Sequence, residues 1–297
     1  MIHETGPDTF AANSLSHTLA QPAYRGGIYH YFDNCGPVFQ ALPSFLAETK
    51  YQDVISSTNT AFHKVFSTDL PAMAWLPTQP ERFDHLQQNM SVIQGPNTKP
   101  WFVEFPFEKQ AFGSTPAKDT VLVDVGGGFG HQCAGLLAAF PDQLKGKLIL
   151  QDLPQTIAML PALAQAALAE GGVTIQKHDF FTPQPVKGAR FYYLRYVMHD
   201  WPDETCVGIL KHLAGSFAED GSSQILIDDM VLPDQGAPWQ AATVDFIMMG
   251  MLGSRERTVS EWQVLVESAG LEILRIDTYE PRTQSSIIQV GRKYVAN

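Results

Sequence analysis

His199 stands near the end of YYLRYVMHDWPDE, residues 192–204, where an apolar, aromatic run abruptly turns polar. Tyr192, Tyr193, Leu194, Tyr196 and Val197 read as a strand in a sheet core, and the end of such a strand is where an α/β protein keeps its ligand. Upstream, VLVDVGGGFGHQ sets Gly126, Gly128 and Gly130 directly after another strand-like run and ahead of a helical one. Glycines there allow a tight turn and let a ligand lie against backbone and a helix N-terminus. The spacing is G-x-G-x-G rather than the G-x-G-x-x-G of dinucleotide sites. Asp124 just before it is unfavourable beside a pyrophosphate and suits a ligand that carries an ammonium group.

S-adenosylmethionine has an α-ammonium, a sulfonium and no phosphate. Asp152, at the end of LILQD, follows Gly130 at about the 20-residue offset at which a carboxylate accepts ribose hydroxyls. Asp179 in HDFF is placed to meet the adenine amino group, with Phe180 beside the ring. Taken singly, each piece has a plainer role: a glycine turn is a common loop, and Asp152 and Asp179 can cap helices or turns. Three acidic residues at successive strand ends after that turn point instead to an adenosine-type ligand.

The elements that position these residues fall into two regions. From Pro22 to about Met90 the spacing is helical, with Val38, Leu42 and Phe45 recurring three to four apart, as do Phe62, Val65 and Phe66. GPNTKP, residues 95–100, punctuates the end of this region, and AFGSTPAKDT, 111–120, reads as a further loop. From Val121 onward short β-rich runs alternate with helices: VLVDV, KLILQ, VTIQ, ARFYYLRYV and SQILID. One helix begins near Gln155, is kinked by Pro161 and ends at Gly171-Gly172; another carries Cys206, Ile209, Leu210, Leu213 and Phe217. This repetition predicts a mostly parallel sheet with helices on both faces. EILRIDTY and SIIQV near the C-terminus predict a closing antiparallel strand. The division expected is a helical region over 1–105 and a ligand-binding α/β domain over 106–297.

The segments VDVGGGFGH, LQDLP, HDFF, HDWPDE, ILIDDMVLPD and RERT occur in the order found in the caffeate and isoflavone type of small-molecule O-methyltransferases, and the chain resembles the fungal secondary-metabolism branch of that family. The resemblance covers nearly the whole chain from about Gly26. It implies a Rossmann-like class I methyltransferase domain with a seven-stranded sheet, a mostly helical N-terminal domain, S-adenosylmethionine as cofactor with S-adenosylhomocysteine as product, and a homodimer. It also implies that His199 is the base. A phenol, like tyrosine, has a pKa near 10, so an imidazole within reach must take its proton as the oxygen attacks the methyl carbon. The acidic partners that hold its other ring nitrogen map to Asp229 and Glu256; the family usually has Glu where Asp229 stands, a side chain one methylene longer. By the same resemblance Leu153, Arg195, Asp200 and Trp201 join the cofactor site, Trp201 near the adenine. The acceptor is expected to be a phenolic or polyketide-like metabolite met by Phe62, Phe66, Met73, Trp75, Phe246, Met248 and Met249, aromatics and thioethers suited to a flat ring system. Relatives on the same scaffold that catalyse a pericyclic or dehydration step are the alternative; they tend to lose this histidine, which is kept here. The resemblance implies further helices ahead of residue 1, with the winged-helix module represented only by MIHETGPDTFAANSLSHTL.

Composition narrows the partners. With 297 residues, 44% of them hydrophobic, the chain can bury one large or two medium cores. A formal net charge of -11 and no basic stripe argue against nucleic acid. Cys35, Cys133 and Cys206 lack C-x-x-C spacing and read as buried apolar residues in a reducing, cytoplasmic setting. No Cys/His or H-E-x-x-H spacing points to a metal. No apolar run approaches the roughly 20 residues that cross a bilayer.

Overall fold

A computed structural model describes residues 2–92, 99–113 and 118–293. Residues 95–98 of the GPNTKP stretch and 114–117 of AFGSTPAKDT lie outside the described residues. The chain divides into two compact units, Met1–Thr98 with Phe246–Ser254, and Lys99–Asp245 with Arg255–Asn297. The short stretch Phe246–Ser254 therefore belongs with the N-terminal helices, an assignment that linear reading of the sequence does not contain.

The first unit opens with an exposed hairpin, β1 (Ile2–Gly6) and β2 (Thr9–Ala12), paired antiparallel around a turn in which Asp8 takes a φ of 53°. Its strands bury no face, so no apolar alternation marks them. Helices follow over Ser14–Ala20, Pro22–Tyr29, Gly36–Glu48, Ala61–Phe66, Ala72–Trp75 and Pro80–Met90, with a π-helical turn at His30–Cys35. Val38, Leu42 and Phe45 form one buried stripe, as the three-to-four spacing predicts, and pack with Ala61, Phe62 and Ala72 and with Ile247, Met251 and Leu252 of the returning segment. Gly250 permits that approach, because a Cβ there would lie 2.9 Å from Cγ1 of Val38.

The second unit is a sheet flanked by helices. Its strands are β3 (Leu122–Val125), β4 (Leu148–Asp152), β5 (Thr174–Lys177), β6 (Phe191–Arg195), β7 (Gln224–Leu232), β8 (Arg257–Thr258), β9 (Leu271–Glu280) and β10 (Ser285–Arg292). The order β5-β4-β3-β6-β7-β10-β9 makes the seven-stranded path that the resemblance implies, with β10 antiparallel to both neighbours and β8 paired to β7 off the path. The helical run from residue 154 divides at Pro161 into Pro154–Ala158 and Ala162–Glu170 and is capped at Gly171, because proline cannot donate to the preceding turn.

Both sheet faces are covered. Cys206, Ile209, Leu210 and Leu213 of the helix Asp203–Ala214, with Trp262, Leu265 and Val266 of Val259–Ser268, close one face over Val123, Tyr192, Leu194 and Ile227. Trp101, Phe105, Phe107, Cys133 and Leu136 close the other over Leu122, Leu150 and Tyr193. The chain winds outward through β3, β4 and β5 and then returns to β6 on the other side of β3. That reversal opens a crevice at the carboxyl ends of β3 and β6. All three cysteines are buried and free. Among the described residues no helix is long and apolar enough to cross a membrane. Leu210 is fully buried, so Leu210→Ala is expected to cost about 2–5 kcal/mol, read as a lower denaturant midpoint with unchanged slope.

Candidate active site

The glycine turn sits at the carboxyl end of β3. Gly126, Gly128 and Gly130 have φ of 71°, 58° and 77°, left-handed values that side-chain-bearing residues rarely adopt. Gly127, which the spacing pattern passes over, is equally constrained: a Cβ there would lie 2.5 Å from Cγ of Asp124 and from Cδ1 of Leu150. A Cβ on Gly128 would meet open space, which leaves the backbone of the turn accessible to a ligand. The Gly126 and Gly127 amides donate to the Gln151 carbonyl at 2.9 and 3.1 Å. Asp152 braces the turn with both oxygens, Oδ2 accepting from the Gly128 amide and Oδ1 from the Leu153 amide, each at 2.8 Å. Each oxygen keeps a lone pair for a hydroxyl donor.

Asp124 lies beneath this turn, 1% exposed, where it accepts the Cys133 thiol at 3.6 Å. Burial pushes its carboxyl up to about 7, with Cys133 and Arg195 opposing. A cation brought against the turn would favour its ionised form. Asp179 is exposed and accepts the Phe181 amide at 3.0 Å. Phe180, Phe181 and Trp201 meet edge to face, with Phe181 and Trp201 centroids 4.9 Å apart. Phe181 was within HDFF but carried no distinguishing spacing. Arg195, at the end of β6, stands 3.6 Å from Asp228; burial would lower its pKa, and the Asp228 carboxylate reverses that and raises it. Its Nε is buried with no hydrogen-bond partner among the described residues. An accessible glycine backbone, a braced carboxylate at the next strand end and an aromatic edge make a cradle that fits an adenosine ligand bearing a cationic group.

After Arg195 the chain leaves the sheet. Tyr196 takes a φ of 49°, a backbone that costs an L-residue about 1–2 kcal/mol. A single 3-10 turn, Met198–Asp200, then presents His199, 7% exposed. Its Nδ1 is 2.7 Å from Oε1 of Glu256, while Asp229 Oδ1 is 3.5 Å away and Asp200 Oδ1 lies 3.6 Å from Nε2. The Glu256 contact favours a proton on Nδ1, because a carboxylate can only accept there. The two carboxylates have divided the task that their positions in the sequence implied they share. Asp229, with its shorter side chain, accepts the backbone amide of His199 at 3.2 Å through Oδ2 and so holds the turn, whereas Glu256 holds the ring.

The charges follow from enclosure. Burial opposes a charged imidazole, but Asp229 and then Glu256 outweigh it and push His199 up to about 10. Burial pushes Asp229 up to about 7, with His199 pulling it down, and pushes Asp200 up to about 6 against the same pull. A residue that motif reading left without a role completes the support. Arg257, 1% exposed, donates to Asp203 at 2.8 Å and to the carbonyls of Met198 and Trp201 at 3.1 and 2.8 Å, clamping the turn that carries His199. His199, Asp229 and Glu256 also place one ligand atom each within 4.8 Å of the others, a set that a divalent cation could use. As it stands, the 2.7 Å separation of Nδ1 and Oε1 is that of a charge-assisted hydrogen bond.

The residues expected to meet the acceptor lie in the first unit. Phe62, Phe66 and Trp75 form an aromatic cluster with centroids 4.8 to 5.3 Å apart, capped by the Arg82 guanidinium over Phe66 and Trp75. Phe62 is fully enclosed in the core, Met248 and Met249 pack against it half-buried, and Met73 and Phe246 are exposed, at 43% and 49%.

Comparison with known proteins places this geometry among relatives. A family model described as an O-methyltransferase domain matches residues 116–272. The demethylsterigmatocystin 6-O-methyltransferase of Aspergillus flavus is 43% identical over 294 residues, 99% of this chain and 72% of that protein. A solved structure of LepI in complex with SAM superposes with a TM-score of 0.89 at 36% identity, covering 99% of this chain and 73% of that one, and a second that matches equally is titled a pericyclic reaction enzyme. OxaC in complex with SAH and oxaline superposes with a TM-score of 0.83 at 26% identity, covering 98% and 72%. Gly127→Ala should force Asp124 aside and weaken adenosine-ligand binding at least tenfold while the chain remains folded; calorimetric titration with S-adenosylhomocysteine reads this, and unchanged affinity would deny the turn its role.

Proposed function

Since the chain belongs to the O-methyltransferase domain family, we propose that it transfers a methyl group from S-adenosylmethionine to a hydroxyl of a small aromatic metabolite, with His199 as the base. The observation that carries this reading is the buried imidazole whose Nδ1 meets Glu256 Oε1 at 2.7 Å, just past the end of the strand that pairs with the glycine turn's strand. The bound cofactor supplies an activated methyl group on a sulfonium, so no Lewis acid is needed and the reading is metal-free. Gly126, Gly128 and Asp152 with Leu153 would hold it, with Phe180, Phe181 and Trp201 at the adenine end and Arg195 and Asp124 tuning charge below the turn.

The protein's own part is to move one proton and fix one orientation. His199 Nε2 takes the acceptor's hydroxyl proton as the carbon–oxygen bond forms, and Glu256 keeps the Nδ1 proton in place and stabilises the resulting imidazolium. The proton then leaves to solvent. Asp229 and Arg257 keep the turn from drifting, which matters because in-line transfer tolerates little misplacement. An aromatic acceptor is supported by the name of the Aspergillus flavus relative and by the apolar and thioether side chains Phe66, Trp75 and Met249 in the first unit. The homodimer and the winged-helix portion belong to the same reading and rest on the family resemblance alone.

The LepI similarity favours a second reading, a pericyclic step on the same scaffold. One measurement separates them. Incubation with S-adenosylmethionine and a panel of phenols should yield a product heavier by one methyl, and His199→Ala should remove it while cofactor affinity stays within about threefold. A product of unchanged mass would support the pericyclic reading.

Acidity adds a second test. Since His199 keeps its proton well above neutrality in the folded protein, kcat/KM should rise with pH across neutrality as the neutral base accumulates. Glu256→Gln removes the charge that favours imidazolium, so the inflection of the profile should move to lower pH while kcat falls. An inflection that stays in place would mean Glu256 does not act on the base.

A further inference from the structure

Tyr196 combines three features. Its backbone sits at φ 49° in the left-handed region, uncommon for an aromatic residue, while its side chain is buried with Met230, Leu232 and Ala241. Its ring lies against the ring of His199, centroids 5.3 Å apart and planes 26° from parallel, the offset-stacked arrangement. Its hydroxyl bonds Ser285 Oγ on β10 at 2.9 Å, and its backbone amide donates to the Asp228 carbonyl on β7 at 3.0 Å. The ring is 9% exposed and also lies under the Arg195 guanidinium, 5.1 Å from its centroid. A strained residue pinned at both ends and stacked on the base is the pattern of a conformation held for function.

We infer that Tyr196 is the positioning residue that fixes the plane of the His199 imidazole and stabilises the imidazolium formed on proton transfer. Glu256 and Asp229 meet the imidazole at its edge, through Nδ1, and Asp200 faces it from the Nε2 side. The Glu256 hydrogen bond holds the imidazole by its edge, and turning the ring about Cβ–Cγ would carry Nδ1 away from Oε1. A ring against the imidazole face opposes the same rotation. It also presents a negative quadrupole to whatever positive charge the imidazole acquires. The left-handed backbone is what turns the tyrosine back onto a residue only three positions later. The Ser285 bond ties the ring to β10 so that it does not swing away.

The inference deepens the proposed base role of His199 and rests on it for catalysis, but the contact itself is measurable without turnover. Tyr196→Phe keeps the ring and loses the Ser285 bond, Tyr196→Leu loses the ring, and Tyr196→Gly loses the ring while relieving the backbone. The His199 Cε1–H resonance, assigned by its disappearance in His199→Ala, is followed by NMR across pH in the whole protein. Loss of the ring should lower its titration midpoint by about half a pH unit, with the Phe variant close to wild type. In methyl transfer, kcat should drop roughly three- to tenfold in Leu and Gly, recover most of the way in Phe, and leave KM for the cofactor within about twofold. A merely structural tyrosine would lower the melting temperature and cofactor affinity together and leave the His199 midpoint where it was; that result overturns the inference. If Leu does not fold, Gly is read against Phe in the same way. If wild type transfers no methyl group, the base reading fails, while the NMR midpoints still decide whether Tyr196 governs the imidazole.

Discussion

The 2.7 Å contact between His199 Nδ1 and Glu256 Oε1 is the interaction on which the rest of the site depends, because it ties the imidazole to a buried carboxylate. Both partners are buried, and taking charges out of water costs several kcal/mol per ion unless partners and hydrogen bonds compensate. Asp229 and Glu256 together more than offset that cost for the imidazolium, so the ring is pushed toward its charged form. A cationic ligand brought near it would push the balance back toward the neutral ring, so substrate chemistry and cofactor charge meet at one group.

Holding that geometry requires long-range anchors at every step. The turn that carries His199 is only three residues long, too short to define its own orientation. Asp229 on β7 takes its amide, and Arg257 on β8 takes the carbonyls on either side. Both anchors come from strands on one side of β6, next to the point where the sheet order reverses. The glycine turn occupies the other side, on β3, braced by Asp152 from β4. His199 and the glycine turn are thereby fixed to neighbouring strands of one sheet, which is the stiffest frame that the fold offers.

Much of this was legible in the residues themselves. The glycine spacing, the acidic residues at strand ends and the apolar-to-polar switch at His199 are local signals, carried by neighbours in the chain, and the βα alternation that frames them follows from side-chain periodicity. Other features had no local signature. The β1–β2 hairpin is exposed on both faces, so nothing alternates. Gly127 looks like one more glycine until Asp124 is seen beneath it. Arg257 has no assigned role in RERT, and its burial is decided by Asp203 and two carbonyls far away in sequence.

The sequence by itself pointed to the kind of site: a glycine turn suited to an adenosine ligand, a histidine just past the fourth strand run, and acidic residues near both. Only the tertiary structure decided which carboxylate does what. Glu256 is 57 residues from His199 and Asp229 is 30 away, and whether a side chain one methylene shorter reaches the ring or the backbone depends on distances of less than an ångström. Periodicity encodes which face a residue points to, because neighbouring positions share a helix or strand. It does not encode the spacing between separate strands, which is set by the packing of the whole sheet.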